Sequence, residues 1–388
     1  MGAVSTHPLG ALCLALSWCC SAPLPAVAEE AVTAFVGARL EPVSGEPIPS
    51  GTVLIEGGKI TAAGADVQVP AGARRFDATG KVIMPGLVVP WTRLGLSGVP
   101  GGKPAANPEV RVADELYPFQ DSYRFALQAG CTTLCLVPGG EGISGQAAVC
   151  RPRAETGDDM LLSWWGPLVI DFAATTAGKK AVRDALEGAK KLLRDGKAPP
   201  GLNESDDALC RALTGEQRTL VRCGGPGELL HALPFFKDYA EMKITYVGPA
   251  HFYRVAEELA KVKAAVLVPA ALTYAPETTN RVNAVRELQE AGVEVACYPE
   301  ADSVSAFRDI LLQAAHLVRA GLPRDAALKA VTLGAAEALG FDYRLGSLEP
   351  GKDANLLVFN GDPLSPTTRL ERVVLEGRTV FEERDEGR

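Results

Sequence analysis

The sequence predicts a mixed α/β protein, a (β/α)8 barrel inserted into a small β-sandwich built from both ends of the chain. Three observations carry this. Short runs that alternate apolar and polar residues crowd 32–78 and return at 353–364 and 372–382, as strands between Gly and Pro turns do. Between them, short apolar runs alternate with amphipathic helical ones, the pattern of strand–helix units. The 388 residues, 47% hydrophobic and 22% charged, suffice for a large barrel beside a smaller domain.

In chain order, residues 1–28 read as a secretory signal. An apolar run at 9–20 is too short to span a bilayer, and Ala26-Val27-Ala28 closes it with an A-x-A cleavage pattern, although no Lys or Arg precedes the run. An exported protein, periplasmic or extracellular, is expected. The sandwich is assigned to 29–86 plus 344–388 and the barrel to 87–343. Strands are expected at 82–89, 132–137, 147–151, 166–172, 219–223, 244–248, 264–269 and 293–298, closing as a parallel barrel. Helices are expected at 179–194, 227–239, 252–262, 281–291 and 304–320, where Leu, Ala and Val recur at three and four spacing. A last helix at 323–339 starts on Pro323 and stops before Gly340. The Gly- and Pro-rich stretch 98–108 is expected to be the least structured.

The formal charge of -8, with no basic run, excludes a nucleic-acid footprint or a polybasic membrane patch. Small molecules or proteins are the expected partners. Three of the nine cysteines lie in the leader, and the other six form no C-x-x-C pair or zinc-finger spacing, so they read as small core residues. No G-x-S-x-G elbow or Ser-His-Asp order appears, and the Gly-rich 139–145 lacks the Gly-Lys-Ser/Thr ending of a phosphate loop.

The motifs GTVLIEGGKITAAG (51–64), FDATGKVIMPGLV (76–88), AGCTTLCLVPG (129–139), ISGQAAV (143–149), VRAGLPRDAALKAVTLGAAEALG (318–340) and GSLEPGKDANLLVFNGDPL (346–364) span most of the chain. In these the chain resembles the amidohydrolase superfamily, near its exported imidazolonepropionase-like branch. The resemblance implies a TIM-like barrel with one or two divalent metals at its C-terminal mouth, lowering the pKa of a bound water. It also says where the ligands should stand. The first-strand histidine pair falls on Trp91 and Arg93, and the fourth-strand lysine on Val169. The fifth-strand pair falls on Arg222 and Gly224, and the sixth-strand histidine on Gly248. The eighth-strand aspartate falls on Glu300 or, with the register shifted, on Asp302.

With the imidazoles gone, and with arginine able only to donate, the ancestral metal is expected to be lost. The expected function is a non-catalytic binding or partner subunit, forming a homo-oligomer or a hetero-oligomer with an active relative. The alternative is a hydrolase of C–N bonds working through a relocated metal or a metal-free site, with Glu300, Asp302 and His251 as its acid–base or ligand groups. Arg93, Arg222 and Glu300 are expected to converge at the mouth, either pairing as a plug or holding a small-molecule carboxylate, with Trp91 and His251 beside them. The turn 223–228, at a helix start, is expected to favour an anion. His231 and His316 lie in helical runs and read as structural. Cys223 with His251 is a weak nucleophile–base pair.

Overall fold

The computed structural model describes residues 32–96, 105–196 and 202–383. The expected leader at 1–28, and 98–104 of the Gly- and Pro-rich stretch, lie outside the described residues. The fold is a mixed α/β one. Both ends of the chain enter a single eight-stranded sheet, in the order Arg378–Glu382, Leu370–Leu375, Leu356–Phe359, Val82–Pro85, Thr33–Leu40, Ile48–Glu56 and Lys59–Gly64, with Arg74–Asp77 also paired to Thr33–Leu40. The C-terminal strands dock on the N-terminal ones because Leu356–Phe359 runs antiparallel along Val82–Pro85.

The expected strand at 82–89 is two strands. Val82–Pro85 stays in the terminal sheet, and Leu87–Thr92 begins the central one beside Cys131–Leu136. Gly86 makes the change of sheet. Its N–H donates to the Asn355 carbonyl at 2.8 Å, and any Cβ there would lie 2.1 Å from Thr132 Oγ1, so only glycine lets the two backbones approach.

The central strands form a three-stranded sheet (Leu87–Thr92, Cys131–Leu136, Ala148–Cys150) and a seven-stranded one. The latter runs Val295–Tyr298, Ala265–Pro269, Ile244–Val247, Thr219–Arg222, Leu168–Asp171, Gly142–Gln146 and Ala105–Ala106. From Leu168 onward the pairings are parallel. The all-parallel expectation fails at one place. Ala148–Cys150 is antiparallel to Cys131–Leu136, and Gly142–Gln146 is antiparallel to Leu168–Asp171. The link from Cys131–Leu136 to Ala148–Cys150, residues 137–147, holds the strand Gly142–Gln146 of the other sheet and no helix, so it lacks the crossover a parallel return requires and the chain comes back antiparallel.

One apolar cluster joins both central sheets. Val88, Val169, Leu220, Val247, Leu267 and Ala296 meet in it, with Ala335, Leu339 and Phe341 packed against them from the helix Leu333–Leu339 and the turn after it. Outer helices bury their stripes on the other strand faces, as Thr176–Arg194 does through Val182, Leu186 and Ala189. The helix expected at 323–339 breaks at residues 331–332 into Arg324–Ala330 and Leu333–Leu339, where the Thr332 hydroxyl bonds back to the Leu328 carbonyl at 2.6 Å. Among the described residues no helix is long and apolar enough to cross a membrane, and the six cysteines are free and buried.

Candidate functional site

The C-terminal ends of the parallel strands bring a small set of polar side chains together. Asp302, four residues beyond the strand Val295–Tyr298, reaches back to the first central strand. Its Oδ1 accepts from the Thr92 hydroxyl and, at 2.9 Å, from the Arg93 N–H. The Thr92 hydroxyl in turn accepts from the Leu94 N–H at 3.0 Å, which fixes the turn. Asp302 is exposed, and among the described residues no donor bonds its Oδ2. Arg93 donates from Nη1 to the Val137 carbonyl at 3.2 Å.

Arg222 closes the strand Thr219–Arg222 and stands in register with Asp171 at the end of Leu168–Asp171. Nη1 of Arg222 donates to both carboxylate oxygens of Asp171 at 3.0 Å. Burial pushes the Asp171 carboxyl up, Arg222 pulls it down through its charge and its hydrogen bonds, and Glu228 and Glu141 push it up further. The folded chain therefore binds this proton more tightly than the unfolded chain, whose carboxyl titrates near 3.8. The sign follows directly. This group costs stability as pH rises from that value through its raised folded pKa. Asp171→Asn is expected to flatten that fall in a melting-temperature profile against pH, and an equally steep profile in the variant would count against the assignment.

Tyr298 closes the strand Val295–Tyr298, four residues before Asp302. It is half-buried, donates from its hydroxyl to the Gly248 carbonyl at 3.1 Å, and feels the charges of both Arg222 and Asp302. Burial, the largest influence, raises its phenol, so it stays protonated.

The expected convergence of Arg93, Arg222 and Glu300 is corrected in its partners. Arg222 pairs with Asp171, and the acid bonded to the first-strand end is Asp302. Glu300 is exposed and lines a small cavity of about 260 Å³ with Ser303, Ser305 and Asp309. The physical reason is geometric: the chain turns after Pro299, so of the two candidates it is Asp302, the shifted register, that reaches the first strand. The anion seat expected at 223–228 is taken from within, since the Gly224 N–H donates to Glu228. Trp91 is half-buried and packs on the interior apolar cluster. His251 is half-buried in the 3-10 helix Ala250–Val255, and His231 and His316 are exposed on helices. Cys223 is fully buried and burial raises its thiol, which removes it as a nucleophile.

Asp171 was not foreseen in the sequence. The available signal was an acid closing the apolar run that precedes a helix, the place where a barrel carries its chemistry.

The residues present do not fit the divalent metal that the resemblance implies. Two of its positions hold arginines, which only donate, and among the described residues no group of three or more His, Cys, Asp or Glu side chains could hold a metal ion.

Comparison with known proteins bears on this geometry. The amidohydrolase family matches residues 231–380. The chain is 27% identical to imidazolonepropionase of Geobacillus sp. (strain WCH70) over 375 residues, covering 81% of this chain and 84% of that protein. It is 24% identical to amidohydrolase tasK of Hapsidospora irregularis over 416 residues, covering 88% of this chain but only 42% of that longer protein. Among solved structures, an amidohydrolase from Thermotoga maritima MSB8 superposes with a TM-score of 0.80 at 24% identity, over 90% of this chain and 100% of its own. The guanine deaminase of E. coli superposes at 0.51 and 17% identity, over 92% and 100%. These superpositions speak to the fold. The curated names correct the expectation of a non-catalytic binding or partner subunit, because the relatives are named as hydrolases.

Proposed function

Because the chain belongs to the amidohydrolase superfamily, we propose that it is a hydrolase of C–N bonds in non-peptide substrates, amides or lactams, acting where the strand ends gather Asp302, Arg93, Arg222 and Asp171. The relatives named imidazolonepropionase and amidohydrolase support the reaction class. The observation that carries the site is the tether of Asp302. One oxygen is fixed by Thr92 and the Arg93 N–H, and the other is left to work on a water.

In this reading Asp302 takes a proton from water as its oxygen bonds to the substrate carbon, and the carbonyl π pair moves to oxygen. Collapse of that oxyanion reforms the carbonyl, the C–N bond breaks, and the nitrogen receives the proton held by Asp302. A carboxylic acid and an amine result, or one ring-opened product carrying both.

We also read the two central sheets as a single (β/α)8 barrel, 87–343, carried on a sandwich of 29–86 and 344–388. The shared apolar cluster and the packing of Val295–Tyr298 against Leu87–Thr92 favour closure. Export through the 1–28 leader is part of the same proposal.

The test is a panel of non-peptide amides and lactams given to the full chain, with amine release or ring opening followed. Turnover of at least one compound, saturable and proportional to protein, is expected. Silence across open-chain and cyclic members alike would end the hydrolase reading.

A further inference from the structure

The disagreement between the superfamily's metal and these side chains extends to the space around them. At Gly248, a Cβ would lie 2.1 Å from the tip of the Phe252 ring, and Phe252 is fully buried, so an imidazole cannot be accommodated without unpacking the core. At Gly224, the N–H is engaged by Glu228 and a Cβ would come 2.9 Å from that carboxylate. Trp91 is packed onto the interior cluster. These positions have been filled by other contacts, and the residues that stand among them with full positive charge are Arg93, whose Nη1 donates to the Val137 carbonyl, and Arg222.

We propose that Arg222, held by Asp171, supplies the fixed positive charge of this site in place of a divalent metal, donating to the oxyanion formed when water adds to the substrate carbon. The assignment rests on the hydrolase reading above. Its geometry is set by backbone: Asp171 and Arg222 are partners across adjacent parallel strands, so the ladder rather than a loop places the guanidinium. Only Nη1 is used by Asp171, and Nε and Nη2 make no hydrogen bond to the described residues. The Arg222 side chain is 46% exposed against 26% for Asp171, so the carboxylate is the inner partner and the arginine the outer one. Asp171 is thus a positioning residue. The Tyr298 hydroxyl on the Gly248 carbonyl ties the end of Val295–Tyr298, four residues before Asp302, to the end of Ile244–Val247, the strand next to that of Arg222.

Arginine keeps its proton throughout the step. The oxyanion gains two donors as its charge develops and gives its electron pair back when the C–N bond breaks. What an oxyanion needs is aimed donors more than net charge, which is why Glu228 and Glu141 nearby do not defeat the arrangement; Glu228 is itself held by the Gly224 N–H.

The experiment uses the full chain, equilibrated with zinc and then freed of loose ions. Metal content, melting temperature with and without zinc, and turnover with and without chelator are measured for the wild type, Arg222→Gln and Arg222→Lys. The expected result is no retained zinc, no zinc-dependent rise in melting temperature, and chelator-insensitive turnover. Arg222→Gln should lower kcat by at least roughly 10²–10³-fold, the loss seen when even one oxyanion donor is removed. Arg222→Lys, which keeps a charge beside Asp171 but not the planar fork, controls for folding and should also be impaired. Tightly held zinc with chelator-sensitive turnover would overturn the metal-free assignment and leave the hydrolase reading standing. Unchanged kcat in both variants would overturn the role of Arg222. No turnover by the wild type, with zinc equally absent, would remove the hydrolase reading and this role with it.

Discussion

Asp302→Asn is expected to lower kcat/KM by roughly 10²–10⁴-fold, the range a positioned general acid–base group supplies, while leaving the fold intact. The substitution is chosen for what it keeps. An asparagine oxygen still accepts from the Thr92 hydroxyl and the Arg93 N–H, so the tether between the turn after Val295–Tyr298 and the end of Leu87–Thr92 survives. What disappears is the second, basic oxygen. A drop in kcat with little change in KM would place the loss in the transition state. An unchanged melting temperature would separate lost chemistry from lost structure. Activity within about twofold of the wild type, far below the range above, would mean that another group takes the proton. Glu300→Gln is the natural control, because the tether to Thr92 and the Arg93 N–H is made by Asp302 and not by Glu300, and it should change turnover little.

The contrast between those two acids shows what the sequence encoded and what it withheld. Strand and helix periodicity made the α/β order legible, and the two alternating segments announced that both termini share a sheet, because a half-buried strand must repeat with period two. The reversed third strand was harder to see. Its only signal is the absence of a helical run between 137 and 147, and periodicity carries no direction. The switch at Gly86 was hidden within one continuous apolar run, since strands on both sides of it are fully buried. For the site, motif frames located Arg93 and Arg222 at strand ends. Partner choice was not legible, because it depends on which strands lie side by side and where a chain turns. Asp171 meets Arg222 across a ladder spanning 51 residues of sequence, and Asp302 overtakes Glu300 by a turn after Pro299.

Asp353→Ala is expected to cost about 3–5 kcal/mol of stability, the penalty for removing one partner of a buried ion pair. Asp353 lies in the GKDANLLVF stretch, and its side chain is 2% exposed. It accepts from Arg344 Nε and Nη2 at 2.7 Å, and also from Lys59. The two arms are unequal. Lys59 is 46% exposed, so water can replace that contact and it contributes little. Arg344 is 18% exposed and is anchored further by the Leu162 carbonyl at 3.2 Å and by Glu376, which also binds Arg151. The network therefore bolts the terminal sheet to the loops beneath the central strands. Removing its acid leaves the Arg344 charge buried without its main partner, whereas Asp353→Asn keeps an acceptor and should cost less. Chemical unfolding of both variants checks the order. If Asp353→Ala lost less than about 1 kcal/mol, a value fit for a surface pair, the junction would be held by the apolar contacts of Leu356–Phe359 alone, and the conspicuous acid of that motif would need another explanation.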